Sequence, residues 1–136
     1  VFLVLHRLRG EGRAGARLGQ ALFDQMFAAM DHAVREIGIG DLSVPRHIKR
    51  MMRAFKGRSA GYARALEAGD GATLREVLRR NLYGTVAAPD EGALAAMESY
   101  VTKSWTLMAA MPYDVLATGR VTFAEPGNAE EESCVA

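Results

Sequence analysis

The chain has 136 residues, 49% of them hydrophobic and 24% charged, which is the composition of an ordinary globular protein of one domain. Its formal net charge of +1 excludes a general polycation, so any attraction for an anionic partner must come from local clustering. The single cysteine, Cys134, excludes an internal disulfide framework and favours a reducing compartment. No uncharged apolar run approaches the roughly 18 residues of a membrane span.

Apolar spacing predicts two helices in the first part of the chain. The opening residues, VFLVLHRLR, have the spacing of a short helix, and because they do not begin with Met we expect the natural protein to extend further. The glycines of GEGRAGAR, residues 10–17, predict a flexible loop. The next helix is predicted over 16–37, with a wide apolar side, an acid-first pair between Asp31 and Arg35, and Gly38 as the terminating glycine.

A second long helix is predicted over residues 45–68. Asp41 and Ser43 are suitable N-cap residues for it, and a proline at its first position fits a first helical turn. Gly57 and Gly61 interrupt its apolar side at a cost of about 1 kcal/mol each relative to alanine. They therefore predict a kink or the close approach of another helix.

Two further helices are predicted after a break at AGDGAT. Thr73 and Glu76 have the spacing of a capping box, and a short apolar pattern then ends near Gly84. A long helix is predicted over 90–110, and one last helical turn is expected before Gly119.

The C-terminal residues predict an arm and a tail. Residues 120–125 alternate like a strand without a partner strand, so we expect an extended arm on the surface. Residues 126–136 are acidic and predict a disordered tail. The predicted class is all-α: one domain over residues 1–125, with five to six helices packed around one core and an extended C-terminal arm.

The side chains that could carry chemistry form no recognisable site. His6, His32 and His47 lack a second ligand three or four residues away, so no metal is expected. The serines lie in no nucleophile motif. Asp24 and Asp31 are seven residues apart on one helical side, and the alternative of a small helical enzyme depends on this pair, which is typical of a solvated face. We expect no enzymatic activity and no cofactor.

One side of the second long helix is strongly basic. Between Asp41 and Glu67 there is no acid. Seven basic residues fall there: Arg46, Lys49, Arg50, Arg53, Lys56, Arg58 and Arg64. Positions 46, 49, 50, 53 and 56 share one helical side, which could contact nucleic acid, anionic lipid or an acidic protein, or pair with acids of the preceding helix. A helical ribosome- or RNA-binding module using residues 45–58 is therefore an alternative function.

Methionines are frequent on the apolar sides of the predicted helices. The chain has seven, and their flexible thioethers suit a groove for a varied or unfolded apolar client, although core filling uses the same positions.

A composite motif in the middle of the chain resembles the signature of the ubiquinol–cytochrome c chaperone family. Its parts are FDQMF at 23–27, MD at 30–31, REIGIGD at 35–41, the basic helix and FKGR at 55–58. Tyr62 and NLYG at 81–84 also resemble family positions, so the likeness extends over most of the chain. Two departures, Ala29 where an acid is expected and Lys56 where Tyr is expected, bear on the partner surface and not on the core pattern.

The resemblance implies a non-catalytic chaperone for assembly of the cytochrome bc1 complex. Newly made cytochrome b is the implied client, with the ribosome or a small partner subunit as further partners, peripheral contact with an anionic membrane, and no DNA. The implied location is the cytoplasmic side of a bacterial inner membrane, or the mitochondrial matrix and inner membrane in a eukaryote. The predicted partner contacts are Asp24, Phe27, Asp31, Asp41, Arg46, Lys49, Arg50, Arg53, Lys56, Arg58 and Tyr62.

Overall fold

Six α-helices make up the regular structure of residues 1–127, which are the residues that the computed structural model describes. They are α1 Phe2–Leu8, α2 Gly12–Glu36, α3 Val44–Ala68, α4 Gly71–Asn81, α5 Glu91–Ala110 and α6 Tyr113–Ala117. The described residues contain no strand, so the predicted all-α class is confirmed. Residues 120–127 have no regular structure, as expected for an arm, and the rest of the predicted tail, residues 128–136, lies outside the described part of the chain.

The chain divides into two compact units, Val1–Ser59 and Ala60–Ala136, and the division falls within α3. In the first unit the buried apolar side chains come from all three helices: Leu3, Leu8, Phe27, Val34 and Val44. In the second unit Leu74, Leu78 and Leu94 form a cluster with Ala65. These clusters follow from the amphipathic pattern, because each helix can shield its apolar side only against a neighbour.

The turn between α1 and α2 differs from the predicted loop. Helix α2 begins at Gly12, four residues earlier than predicted, and includes Gly15. Gly15 is buried, and a Cβ there would overlap the carbonyl oxygen of Leu8 at the end of α1. Gly15 therefore allows two helices to approach closely, whereas the sequence predicted a helix breaker.

The linker between α2 and α3 has a defined hydrogen-bonding pattern. Gly38 adopts φ +84, its amide donates to the carbonyl of Arg35 at 3.0 Å, and the next amide, of Ile39, donates to Val34 at 3.4 Å. This is a Schellman motif, and it confirms Gly38 as the terminating glycine. Of the two predicted N-caps, Ser43 directly precedes α3, and its carbonyl accepts from the amide of His47 at 3.1 Å. Its hydroxyl donates to the carbonyl of Gly40 and does not cap the helix, and the carboxylate of Asp41 accepts from Arg35.

Aspartates begin both main helices of the second unit. The carboxylate of Asp70 accepts from the amide of Thr73 at 3.0 Å, and that of Asp90 accepts from Ala93 at 2.7 Å. The predicted capping box was therefore placed three residues too late, since Thr73 donates to the cap and is not the cap itself. Gly61 is a close-approach glycine as predicted, with its Cβ position 3.2 Å from Val77, whereas Gly57 has nothing within 4 Å.

Candidate functional site

An apolar groove of about 570 Å³ lies in the first unit, between α1, α2 and the first half of α3. Its apolar lining comes from side chains of all three helices, namely Phe2, Leu5, Leu8, Phe23, Met52 and Phe55. Arg9, Arg53 and Lys56 also line it and are exposed, so the groove is apolar inside and cationic at its border. A concave apolar surface with few polar groups is typical of a binding site.

Three phenylalanines build the wall between α2 and α3. The ring centroids of Phe23 and Phe27 are 4.7 Å apart, and those of Phe23 and Phe55 are 6.0 Å apart. Phe27 meets Phe55 edge to face at 6.1 Å and is 6% exposed. Such arrangements of aromatic rings are favourable beyond the area they bury. Phe27, predicted as a partner contact, is thus a buried support for the two rings that line the groove.

Six exposed cations lie along α3, and two of them, Arg53 and Lys56, also line the groove. We call the six the basic row: Arg46, Lys49, Arg50, Arg53, Lys56 and Arg58. Within residues 1–127 none of them forms an ion pair with an acid. Arg50 contacts the His47 ring at 3.2 Å, and Arg53 donates to the carbonyl of Lys49. The positive charge of this row is therefore not neutralised by the described part of the protein.

The acids of the first unit already have other partners. Glu11 pairs with Arg7, Asp24 accepts from Gln20, Asp31 and Asp41 both pair with Arg35, and Glu36 pairs with His32. The hydrogen bond and charge of Asp31 raise the pKa of the Arg35 guanidinium above its usual value. The interpretation that acids of α2 pair with the basic row is therefore wrong for the described residues.

Charge is distributed unevenly between the two units. Residues 1–59 hold eleven Lys and Arg against five Asp and Glu, a formal charge of +6. Residues 60–136 hold six against eleven, a formal charge of −5. The net charge of +1 thus conceals a basic unit and an acidic one, and the basic unit contains the groove.

The remaining predicted contacts have different surroundings within their own units. Asp24 is exposed, and the carboxylates of Asp31 and Asp41 are held together by Arg35, at 2.7 and 2.6 Å. Tyr62 packs against the buried cluster of the second unit. These residues were predicted as contacts because they occupy positions of the family motif. In the structure, Asp31 and Asp41 bond to Arg35, and the bond to Asp41 holds the linker.

Sequence reasoning missed the contributions of α1 and of the linker. Phe2, Leu5 and Arg9 line the groove, and their helical spacing was the available signal. Ile37 and Leu42 are 76% and 101% exposed. Large aliphatic residues in a short linker are normally expected to pack against the helices that the linker joins. Which aliphatic residues face solvent is decided by the turn geometry and not by their order in the sequence.

The described residues contain no cluster of three or more metal-binding side chains, and no helix among them is long and apolar enough to cross a membrane. The first unit combines an apolar groove with exposed cations that form no ion pair. The fold and site therefore define an all-helical protein equipped for binding.

The family model described as ubiquinol-cytochrome C chaperone matches residues 1–123, so the chain belongs to this family. Among solved structures, the chain is similar to the Cbp3 homolog from Brucella abortus, with a TM-score of 0.80 and 33% sequence identity. That match covers 91% of this chain and 67% of the Brucella protein. None of the curated proteins matches the chain significantly. The family predicted from the composite motif is confirmed.

Proposed function

We propose that this protein is a non-catalytic assembly chaperone for the cytochrome bc1 complex that holds newly made cytochrome b. The observation that carries the proposal is the family match over residues 1–123. The groove supports it, because a chaperone needs an apolar surface that its client can enter and leave. Three acids of the first unit, Asp24, Asp31 and Asp41, accept hydrogen bonds from neighbouring side chains, and the groove is apolar with a cationic border. This arrangement favours binding over catalysis.

The groove suits a client that lacks a fixed shape. Met52 lines it, is 37% exposed and has a flexible thioether, so it can adapt to different apolar side chains. The phenylalanine wall behind it is packed and supplies a fixed surface. A membrane protein segment that has not yet found its partners exposes such side chains, and the groove would shield them until assembly.

The family resemblance also motivates finer proposals about partners and place. We place the protein at the cytoplasmic side of a bacterial inner membrane, or at the inner membrane of mitochondria in a eukaryote. There a small partner subunit or the ribosome would present the client. The basic unit, with its charge of +6, is the surface that suits an anionic neighbour at that location.

Site-directed photocrosslinking tests the client and the groove together. A photoreactive phenylalanine analogue is placed at Met52, and a matched control at Leu107, an apolar α5 residue that is 43% exposed. We expect a cytochrome b adduct from position 52 and little from position 107. Equal yields from both positions would show that the groove is not the client site.

The assembly role is tested separately by deleting the gene and measuring the assembled bc1 complex on native gels. The level should fall and be restored by the wild-type gene. A normal level in the deletion strain would refute the proposed function.

The unneutralised basic row keeps a ribosome- or RNA-binding module as a second candidate. Changing Arg46, Lys49, Arg50 and Arg53 to Glu should then abolish RNA binding and flatten its salt dependence. The control is Arg80→Glu in α4, an exposed arginine of the acidic unit. RNA binding with an unchanged salt slope in the fourfold variant would exclude this candidate.

A further inference from the structure

The linker between α2 and α3 exposes its two largest aliphatic side chains. Ile37 is 76% exposed and Leu42 is 101% exposed, so nothing in the first unit shields Leu42. The neighbouring apolar residues behave differently, since Ile39 is half-buried and Val44 is fully buried. Exposing two large aliphatic side chains within six residues leaves apolar area in water that would be favourable to bury against a partner.

The exposure of these side chains is built into an ordered turn. The Schellman motif at Gly38 determines where Ile37 lies, and the amide of Ser43 donates to the carbonyl of Gly40 at 2.8 Å. Arg35 connects the end of α2 to the linker by donating to Asp41 at 2.6 Å. A linker held by bonds at both ends presents Ile37 and Leu42 in one arrangement.

The basic row begins close to the linker. Arg46, Lys49 and Arg50 lie four, seven and eight residues after Leu42, in the first two turns of α3, which begins at Val44. All three cations are exposed. We name Ile37, Leu42 and these three cations the linker patch.

The acids near the linker patch are engaged with other side chains. Asp41 is bound by Arg35, and Glu36 lies 3.3 Å from the His32 ring. Neither acid forms an ion pair with Arg46, Lys49 or Arg50. The patch combines apolar side chains with a cationic border.

We infer that the linker patch docks this protein on an anionic phospholipid bilayer. Ile37 and Leu42 enter the boundary between headgroups and acyl chains, and Arg46, Lys49 and Arg50 contact the phosphates. This is the pattern by which peripheral proteins combine apolar insertion with attraction to anionic lipid. The inference rests on the proposed location at a membrane, and it names the surface that makes the contact.

The composition of the patch favours a bilayer over the two other classes of anionic partner. RNA would use the cations but has no place for two aliphatic side chains. A protein partner is usually anchored by Trp, Tyr or Arg in fully desolvated pockets, and leucine is under-represented among such anchors. The linker patch has arginines, but they are exposed and its apolar side chains are aliphatic. The stretch from 37 to 50 contains no aromatic residue. A bilayer needs neither aromatic anchors nor a matching shape.

Co-sedimentation with lipid vesicles tests the inference. The wild-type protein should bind vesicles of equimolar phosphatidylglycerol and phosphatidylcholine, and not vesicles of phosphatidylcholine alone. Leu42→Ser should weaken binding about tenfold, the order expected when one large aliphatic side chain no longer enters the bilayer. Lys49→Gln should weaken it about fivefold, the contribution of one cation near an anionic surface.

Leu82→Ser is the matched control, since Leu82 is 52% exposed and lies in the other unit. It should leave vesicle binding unchanged. Since Leu42 contacts nothing that shields it, Leu42→Ser should also retain the wild-type Tm, so that weaker binding is not caused by unfolding.

Three results would overturn the inference. They are a wild-type protein that does not bind the anionic vesicles, equal binding by Leu42→Ser and wild type, and an equal loss from Leu82→Ser. Binding to RNA but not to vesicles would assign the patch to nucleic acid instead.

The same variants separate this inference from the proposed function. A Leu42→Ser protein that binds vesicles more weakly yet still forms the cytochrome b crosslink from position 52 supports both the docking surface and the client. Vesicle binding by a protein that never crosslinks to cytochrome b would refute the client and keep the docking surface. A wild-type protein that crosslinks to cytochrome b but does not bind vesicles would support the client and refute the docking surface.

Discussion

Replacing Gly15 with alanine should destabilise the first unit more than its small size suggests. A Cβ at this position would overlap the carbonyl oxygen of Leu8 and lie 2.6 Å from the Cβ of Glu11. Both obstacles lie on or next to the backbone, so no side-chain rotation can relieve them. Helix α1 would have to move away from α2.

Two opposing effects determine the magnitude. Alanine gains about 1 kcal/mol over glycine inside a helix. Overpacking of this kind typically costs about 1–3 kcal/mol and more when the backbone must shift. Because the overlap at Gly15 involves backbone, the cost should exceed the gain, and we expect a net loss of about 2 kcal/mol.

Gly57→Ala is the matched comparison. Gly57 is exposed inside α3 with nothing within 4 Å, so alanine there should gain the helical preference of about 1 kcal/mol without a steric cost. Urea unfolding followed by circular dichroism at 222 nm would give both free energies of unfolding. A Gly15→Ala protein as stable as wild type would refute the close approach of α1 and α2.

Three further predictions concern a cap, a charge cluster and a core position. The hydrogen bonds that Asp70 accepts from Thr73 lower its pKa in the folded protein. Asp70 therefore stabilises the fold fully above pH 3.8, and this stabilisation is lost as the pH falls through the lower folded pKa. Asp70→Asn should abolish this acid dependence of stability, which thermal melts at different pH values measure. Arg35→Ala should weaken binding to anionic vesicles, because it removes a cation and frees the carboxylate of Asp41, the residue before Leu42. An unchanged affinity would contradict the role given to Arg35. Leu94→Ala should cost about 2–5 kcal/mol of unfolding free energy, since Leu94 is 0% exposed, and a smaller loss would show that its site is not tightly packed.

Helix positions were the part of the fold most accessible to sequence reasoning. The apolar periodicity of α3 and α5 predicted both within one residue at each end, and Gly38 was correctly assigned to the end of α2. These features depend on neighbours three or four residues away, so local sequence contains the necessary information. The start of α2 was wrong because Gly15 has a tertiary partner, the carbonyl of Leu8.

The candidate site was predicted in part. The basic row was evident from the absence of acids between residues 41 and 67, but sequence could not show whether acids elsewhere neutralise it. The structure assigns those acids to other partners, above all Arg35. The contribution of α1 to the groove was equally hidden, because it depends on how α1 packs against α2.

The amino-acid order by itself determined the helical class, the family and the line of cations, since each is written in the spacing of residues along one chain. Only the tertiary structure decided that Phe27 is buried while Leu42 is fully exposed. The physical reason is that burial depends on what a side chain meets across the fold. Two large apolar residues therefore have opposite surroundings, and with them different roles.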